Sequence, residues 1–396
     1  MIIVHILTIV LFGYLAATLL YLFMLALAGR FGRLKAYTAV AEKSRIAVLI
    51  PSYREDNIIV HTASQALLQD YPADRYSVTV IADQLKPETI AALRALPVGV
   101  VEVTFQKSMK ARSLHAAFNQ LPPGEYDLVM VLDADNIMAA GCLEKVNAAF
   151  RSGWNVIQCH RTAKNKNTPV AVLDALSEEV NNTMFRRGQR ALGLSCALIG
   201  SGMAFRYDLL KAIFSLPQIL DNPGEDREVD IQLVKQGFVV EYLEDAYVYD
   251  EKVQRKEVFE KQRTRWLATQ VDHLKRFLAP DMRSHFGKRI YTHKLFQCLF
   301  LPRLLLLLLF VFLVVLCAVD IWFTPGLLFP VPGWWLGLMG LYAATLFAAV
   351  PAAFYNRDTF RALLQLPVLM FSMVKALLKI GKNKKGFLHT PKEFSQ

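Results

Sequence analysis

Charge is missing from three long stretches of this chain and concentrated between them. Residues 1–29 contain no Asp, Glu, Lys or Arg, and neither do residues 304–319 or 321–356. Runs of about this length are what a helix needs to cross a bilayer, whose core tolerates few ionised groups. The segment between them is charged and mixed in pattern, as in a water-facing domain. Composition agrees. A hydrophobic fraction of 54% and a mean hydropathy of +0.29 are too high for an ordinary soluble enzyme, yet 20% of the residues are charged. Part of the chain is therefore expected in lipid.

The first apolar run is too long for a signal-peptide core and lacks a basic leader, so residues 1–29 read as a retained transmembrane anchor. Arg30, Arg33 and Lys35 follow at once, which places the following residues in the cytoplasm. Residues 45–275 are then expected to form a cytoplasmic domain and 276–303 an interfacial connection. Residues 304–355 hold two further spans, about 302–322 and 333–354. The short link between them is bracketed by Trp322, Trp334 and Trp335 and carries Asp320 but no Lys or Arg, as expected outside. In 361–396, Arg361, Gln365, Ser372, Lys375, Lys379 and Lys382 fall within about 100° on a helical wheel. That stripe predicts an amphipathic helix in the cytoplasmic interface followed by a basic tail, with a third helix crossing at 362–380 as the alternative.

A formal net charge of +11 suits anionic lipid headgroups, phosphorylated substrates or nucleic acid. No zinc spacing, helix-turn-helix pattern or basic/aromatic repeat supports nucleic acid, and that partner is set aside. Cys142, Cys159, Cys196, Cys298 and Cys317 are scattered without a C-x-x-C pair, as reduced, buried thiols of a cytosolic domain are.

From about Arg45 the pattern becomes strand, turn, helix. IAVLIPSY, VTVIAD and DLVMVLDAD read as strands, with helices between them such as 58–69. This alternation predicts an α/β domain with a mostly parallel, Rossmann-like sheet, and ligands of such sheets gather beyond the carboxyl ends of the strands. Asp83 and Asp133 lie there. Asp133 and Asp135, two apart at a strand end, are hard oxygen ligands suited to Mg²⁺ or Mn²⁺ bridging a diphosphate, although most D-x-D triplets are surface charges. Gly200-Ser201-Gly202 would let a backbone approach a ligand closely, or form a plain turn. Gly224-Glu225-Asp226 precedes a helical run at 229–236, where a carboxylate is favourable in any case. In Gln262-Arg263-Thr264-Arg265-Trp266, a helix puts Gln262, Arg265 and Trp266 on one face. A guanidinium there could meet a leaving diphosphate and an indole a sugar ring; the plainer reading is a cationic helix on the membrane surface.

Taken in order, IPSYRED, VIADQ, KARSLHAAF, VLDADN, GSGMAF, GED and QRTRW resemble the membrane-bound members of glycosyltransferase family 2, which include cellulose, chitin and hyaluronan synthases. The resemblance covers about residues 46–270. It implies an A-type glycosyltransferase domain inserted between transmembrane helices. By it, Tyr53, Glu55 and Asp83 would hold the nucleoside, Lys110 and Asp133 the nucleotide-sugar, and Asp135 the metal. Asp226 would be the general base, Arg265 would bind the leaving diphosphate and Trp266 would line the acceptor site, with Gln262 and Arg263 assisting. Arg54 stands where the family often has Asn, and Gly224 where many synthases have Thr, which leaves the choice between Glu225 and Asp226 open.

The implied reaction is an inverting transfer of a hexose from a nucleotide-sugar to a glycan or lipid-linked acceptor at the cytoplasmic membrane face, in polysaccharide synthesis. With so few spans, polymer export would call on a homo-oligomer or a partner. The rival readings are single addition to a membrane lipid and, from another class, a silent nucleotide-sugar-binding or polysaccharide-export subunit.

Overall fold

The structure, a computed structural model, describes residues 1–368, 370 and 371; the side chains at 256, 257, 261, 263–265, 267 and 268 lie outside that description. The expected interfacial helix and basic tail therefore fall outside the described residues from 372 onward.

The chain opens with helix α1 (Ile2–Phe31). An α/β series follows: β1 (Ile46–Tyr53), α2 (Ile59–Ala66), β2 (Tyr76–Asp83), α3 (Pro87–Arg94), β3 (Gly99–Val103), α4 (Lys110–Gln120) and β4 (Leu128–Val131). Next come β5 (Ile137–Met138), α5 (Cys142–Arg151), β6 (Val156–Ala163) and α6 (Pro169–Asn181), which runs through a π-helical turn, Asn182–Gly188, into α7 (Gln189–Ala191). The domain is completed by β7 (Met203–Arg206), α8 (Tyr207–Phe214), α9 (Pro217–Leu220), α10 (Glu225–Gln236), β8 (Glu241–Asp250) and α11 (Lys256–Phe277). Helices α12 (Arg289–Cys298), α13 (Arg303–Trp322), α14 (Pro332–Ala349) and α15 (Arg357–Leu363) follow.

Among the described residues eight strands form one sheet in the order β3-β2-β1-β4-β7-β6-β8-β5. The three strands expected from the sequence sit together in its parallel half, where β1 pairs with both β2 and β4 and β2 pairs with β3. Beyond β4 the sheet is mixed, with β7 and β5 running against the other described strands, which share one direction as a mostly parallel sheet does. β7 runs antiparallel to both β4 and β6, β8 runs parallel to β6, and β5 is antiparallel to β8.

Alternate residues of β1 face two cores. Ile46, Val48 and Ile50 pack with α2 and α5, while Ala47 and Leu49 pack with α4, α8 and α10. Burial on both faces is why these strands read as unbroken apolar runs.

Helices α1, α13 and α14 pack on one another through Leu15, Leu19, Phe310, Leu313, Trp335 and Tyr342. Their outward faces expose Ile3, Leu7, Val10, Phe312, Val315 and Phe347. Among the described residues two helices, Ile2–Phe31 and Arg303–Trp322, are long and apolar enough to cross a membrane; α14, expected as a span, is not one of them. It ends at Ala349, ahead of Pro351, instead of reaching 354; a proline disfavours helical backbone in the residue before it. Where α1 crosses the π-helical turn, a Cβ on Gly29 would lie 2.1 Å from the Thr183 carbonyl oxygen, and one on Gly188 would lie 2.2 Å from that of Leu25. Only glycine allows the two backbones to come this close.

Candidate active site

The carboxyl ends of β1 and β2 lie side by side, with Tyr53 in register with Asp83. The next residue on each strand, Arg54 and Gln84, has a φ of 55°, a region that side chains other than Asn, Asp and Gly seldom adopt. The two brace each other. The Arg54 amide donates to the Asp83 carbonyl (3.2 Å), and its guanidinium donates to Gln84 Oε1 from Nε (2.9 Å) and Nη2 (2.5 Å) while lying over the Tyr53 ring. The left-handed backbone gives a physical reason for Asn at this position in the family. Asp83 is 1% exposed, and among the described residues neither carboxylate oxygen makes a well-formed hydrogen bond. Burial raises its pKa, with Ser108 and Arg54 tempering the rise. Unpaired buried acceptors are costly, and a donor on a ligand would satisfy them. The Glu55 carbonyl accepts from the Ile58 and Ile59 amides, so Glu55 sits at the turn into α2. Asp56, which no motif singled out, accepts from the Lys86 amide (2.8 Å) and the Thr89 hydroxyl (2.7 Å), tying this turn to the start of α3.

Lys110, the first residue of α4, brings the next groups together. Its ammonium donates to Asp133 Oδ1 (2.5 Å) and to the Gly200 carbonyl (2.6 Å). Asp226 packs against the same glycine: a Cβ on Gly200 would stand 3.6 Å from Asp226 Cβ and 3.8 Å from its Oδ2. The helix expected at 229–236 starts at Glu225 instead, so both carboxylates occupy its first turn, and Asp226 Oδ1 accepts from the Arg227 amide (2.9 Å). Burial pushes the Glu225 carboxyl up to about 7; Lys110 opposes the shift, and the Asp226 and Asp133 carboxylates add to it. Gly224 is required by packing. A Cβ there would lie 2.4 Å from the Thr269 methyl on α11, which explains glycine at a position where many synthases have Thr.

Asp133 and Asp135 lie in the turn after β4. Asp135 is 2% exposed; its Oδ2 accepts from the Glu251 amide (3.3 Å) and its Oδ1 from Asn136 Nδ2 (3.3 Å). Among the described residues no three His, Cys, Asp or Glu side chains gather into a metal cage. Two carboxylates are nonetheless an adequate protein share for a Mg²⁺-type ion whose other ligands are water and phosphate oxygens, and Asp133 with Asp135 fits that donor set.

Behind this turn lies a buried ionic cluster that sequence reasoning missed. Arg161 donates to Glu178 (2.8 Å) and lies 3.4 Å from Asp250, Lys252 contacts both Glu178 and Asp250, and Arg161 also reaches the Ser201 hydroxyl (3.1 Å). Its members come from β6, α6 and the end of β8, too far apart in sequence to form a local motif.

The Gln262 to Trp266 motif is helical as expected, on α11. Trp266 is 41% exposed, and Gln262 Oε1 is buried without a hydrogen-bond partner among the described residues. The side chains of Arg263 and Arg265 lie outside the described residues. Trp266 precedes Thr269 by one turn on the same helix face, and Thr269 meets Gly224, so the motif approaches the start of α10.

Comparison with known proteins agrees with this arrangement. A mannosyltransferase from Pyrobaculum calidifontis, solved with GDP-Man and Mn²⁺, is 17% identical and superposes with a TM-score of 0.58 over 96% of this chain and 100% of its own. At that identity the likeness shows the fold. Glucosyl-3-phosphoglycerate synthase from Mycobacterium tuberculosis matches 58% of this chain and 78% of its own at 15% identity and a TM-score of 0.40. S. aureus TarS matches 85% and 89% at 15% identity and the same score. No curated protein sequence matches the chain. The family model described as "Glycosyltransferase like family 2" matches residues 44–269, more than half of the chain, with the motifs above inside it. The chain thus belongs to the family 2-like glycosyltransferases, and its mixed α/β domain is the glycosyltransferase unit.

Proposed function

We propose that the chain is an inverting, metal-dependent hexosyltransferase of the membrane-bound kind, moving sugar from a UDP- or GDP-sugar to a glycan or lipid-linked acceptor at the cytoplasmic membrane face. The observation that carries this reading is Lys110 bridging Asp133 and the Gly200 carbonyl while Asp226 packs against the same Gly200. It puts a cation for phosphates and a carboxylate for an acceptor hydroxyl beside one short loop.

On this reading Asp83, whose carboxylate makes no well-formed hydrogen bond among the described residues, accepts hydrogen bonds from the nucleoside beside Tyr53 and Glu55. Lys110 neutralises charge on the diphosphate. Asp226 takes the proton from the acceptor hydroxyl as that oxygen attacks the anomeric carbon, and Arg265 meets the departing diphosphate, with Trp266, Gln262 and Arg263 lining the acceptor side. Mg²⁺ or Mn²⁺, held by Asp135 with Asp133, would supply Lewis-acid neutralisation of the leaving group. The fold-level likeness to a mannosyltransferase solved with GDP-Man and Mn²⁺ supports this assignment.

The membrane part of the reading rests on the apolar outward faces of α1, α13 and α14 and on the basic residues Arg30, Arg33 and Arg357 at their inner ends. The division into an anchor at 1–29, a catalytic domain at 45–275, an interfacial connection at 276–303 and spans at 304–355 belongs to the same proposal. One observation favours single addition over polymer synthesis. Among the described residues the three-helix core is filled by Leu15, Phe310, Trp335 and Tyr342, so on this reading a polymer would need a homo-oligomer or an export partner to leave the cell.

Nucleotide release from a panel of UDP- and GDP-sugars, with and without Mn²⁺, tests the proposal. Mn²⁺-dependent release from one donor class is expected. Binding without release would identify a silent carrier instead.

A further inference from the structure

A second set of buried polar groups, unused by the proposed chemistry, lies where α12 meets α10. Lys294 is 2% exposed, and its ammonium donates to Asp230 Oδ1 (2.8 Å) and to the Cys196 carbonyl (2.8 Å). Beside it, His293 contacts the Ser195 carbonyl through Nε2 (3.2 Å) and the Tyr21 hydroxyl of α1 through Nδ1 (2.5 Å). Burial lowers the His293 pKa to about 4, so the ring is neutral, and one tautomer serves both contacts, with Nε2–H donating and Nδ1 accepting.

Asp230 follows Asp226 by four residues on α10, on the same helix face and about 6 Å along the axis. Cys196 begins the segment that ends at Gly200, against which Asp226 packs. One ammonium therefore holds both walls of the gap between Asp226 and the glycine loop. An apolar pair of similar volume would hold two helices together at least as well as a buried ion pair, but it could not tether a backbone carbonyl as well.

We propose that Lys294 is a positioning residue that sets the separation of Asp226 from the loop at 200–202, and that His293 and Tyr21 tie this separation to α1. The inference rests on the reading of Asp226 as the base.

The test uses the full-length chain with GDP-Man and UDP-glucose as donor probes. Lys294→Met combined with Asp230→Leu removes both charges together, so no unpaired charge is left buried. This pair should lower the rate constant of nucleotide release by about 10- to 100-fold. Its affinity for the nucleoside diphosphate should stay within about twofold, and amide hydrogen exchange should rise in 196–202 and 225–230. Lys294→Gln combined with Asp230→Asn, which keeps hydrogen-bonding arms, should recover the rate to within about threefold of wild type. Native rate and native exchange in the first pair would overturn the inference. So would loss of nucleotide affinity in step with rate, which marks a general loss of structure, or failure of the Gln/Asn pair to recover. If the wild-type chain releases no nucleotide, the functional reading fails, while the exchange measurement still decides whether Lys294 holds the two walls.

Discussion

Replacing Glu225 by glutamine should stabilise the chain above neutral pH and change little near pH 5. Burial, aided by the carboxylates of Asp226 and Asp133 and opposed by Lys110, puts the Glu225 carboxyl at about 7 against an ordinary 4.5. A carboxyl whose pKa is higher in the folded state binds more protons folded than unfolded. Its contribution is therefore fully present below the unfolded value and is lost as pH rises through the folded value of about 7. The difference between the two values corresponds to a ceiling of about 3 kcal/mol. Glu225 is partly accessible to solvent, and screening brings the expected gain to about 1–2 kcal/mol. Glutamine carries no charge to desolvate. The assay is denaturant unfolding of wild type and Glu225→Gln at pH 5.0 and 8.5. The variant should gain stability relative to wild type only at the higher pH. Equal differences at the two pH values, or a variant less stable at pH 8.5, would refute the burial argument.

Three further outcomes follow from the same geometry. Asp135→Ala should abolish the Mn²⁺ dependence of nucleotide binding, and retained dependence with full turnover would remove Asp135 from the metal site. Asp83→Ala should weaken nucleotide affinity about tenfold, in line with loss of a hydrogen bond to a charged group, with little loss of folding stability, because among the described residues its carboxylate makes no well-formed hydrogen bond. A stability loss with unchanged affinity would make Asp83 a structural residue. A cysteine at Thr324, in the link between α13 and α14, should react with an impermeant thiol reagent in intact cells while one at Lys107 should not; the reverse would invert the proposed topology.

The parts of this molecule legible in its sequence are those that local chemistry dictates. β1, β2 and β4 announce themselves as apolar runs because both faces of the parallel half are covered. Lys110 opens α4, and Asp133 and Asp135 follow a strand, as read. β6 and β8 stayed hidden because VIQCHRTA and EYLEDAYVYD carry polar residues in the buried ionic cluster and on an exposed face. The antiparallel course of β7 depends on how the chain reverses after the loop at 200–202, which no periodicity records. α10 starts four residues before the helical run at 229–236 because Glu225, Asp226, Arg227 and Glu228 carry no apolar periodicity, and Gly224 serves as its cap under α11. The paired left-handed residues Arg54 and Gln84, the raised pKa of Glu225 and the Lys294 clamp all arise from groups brought together only by the fold.

Asp226→Asn tests the central claim most directly. The substitution keeps size and hydrogen bonding at the start of α10 but removes the carboxylate beside Gly200 that is proposed to accept the proton. Nucleotide-sugar affinity should stay near wild type while transfer falls by about 10²- to 10⁴-fold, the usual scale of general-base assistance. Transfer at the wild-type rate would contradict the account, and if Glu225→Gln abolished transfer in the same assay, the base would be Glu225.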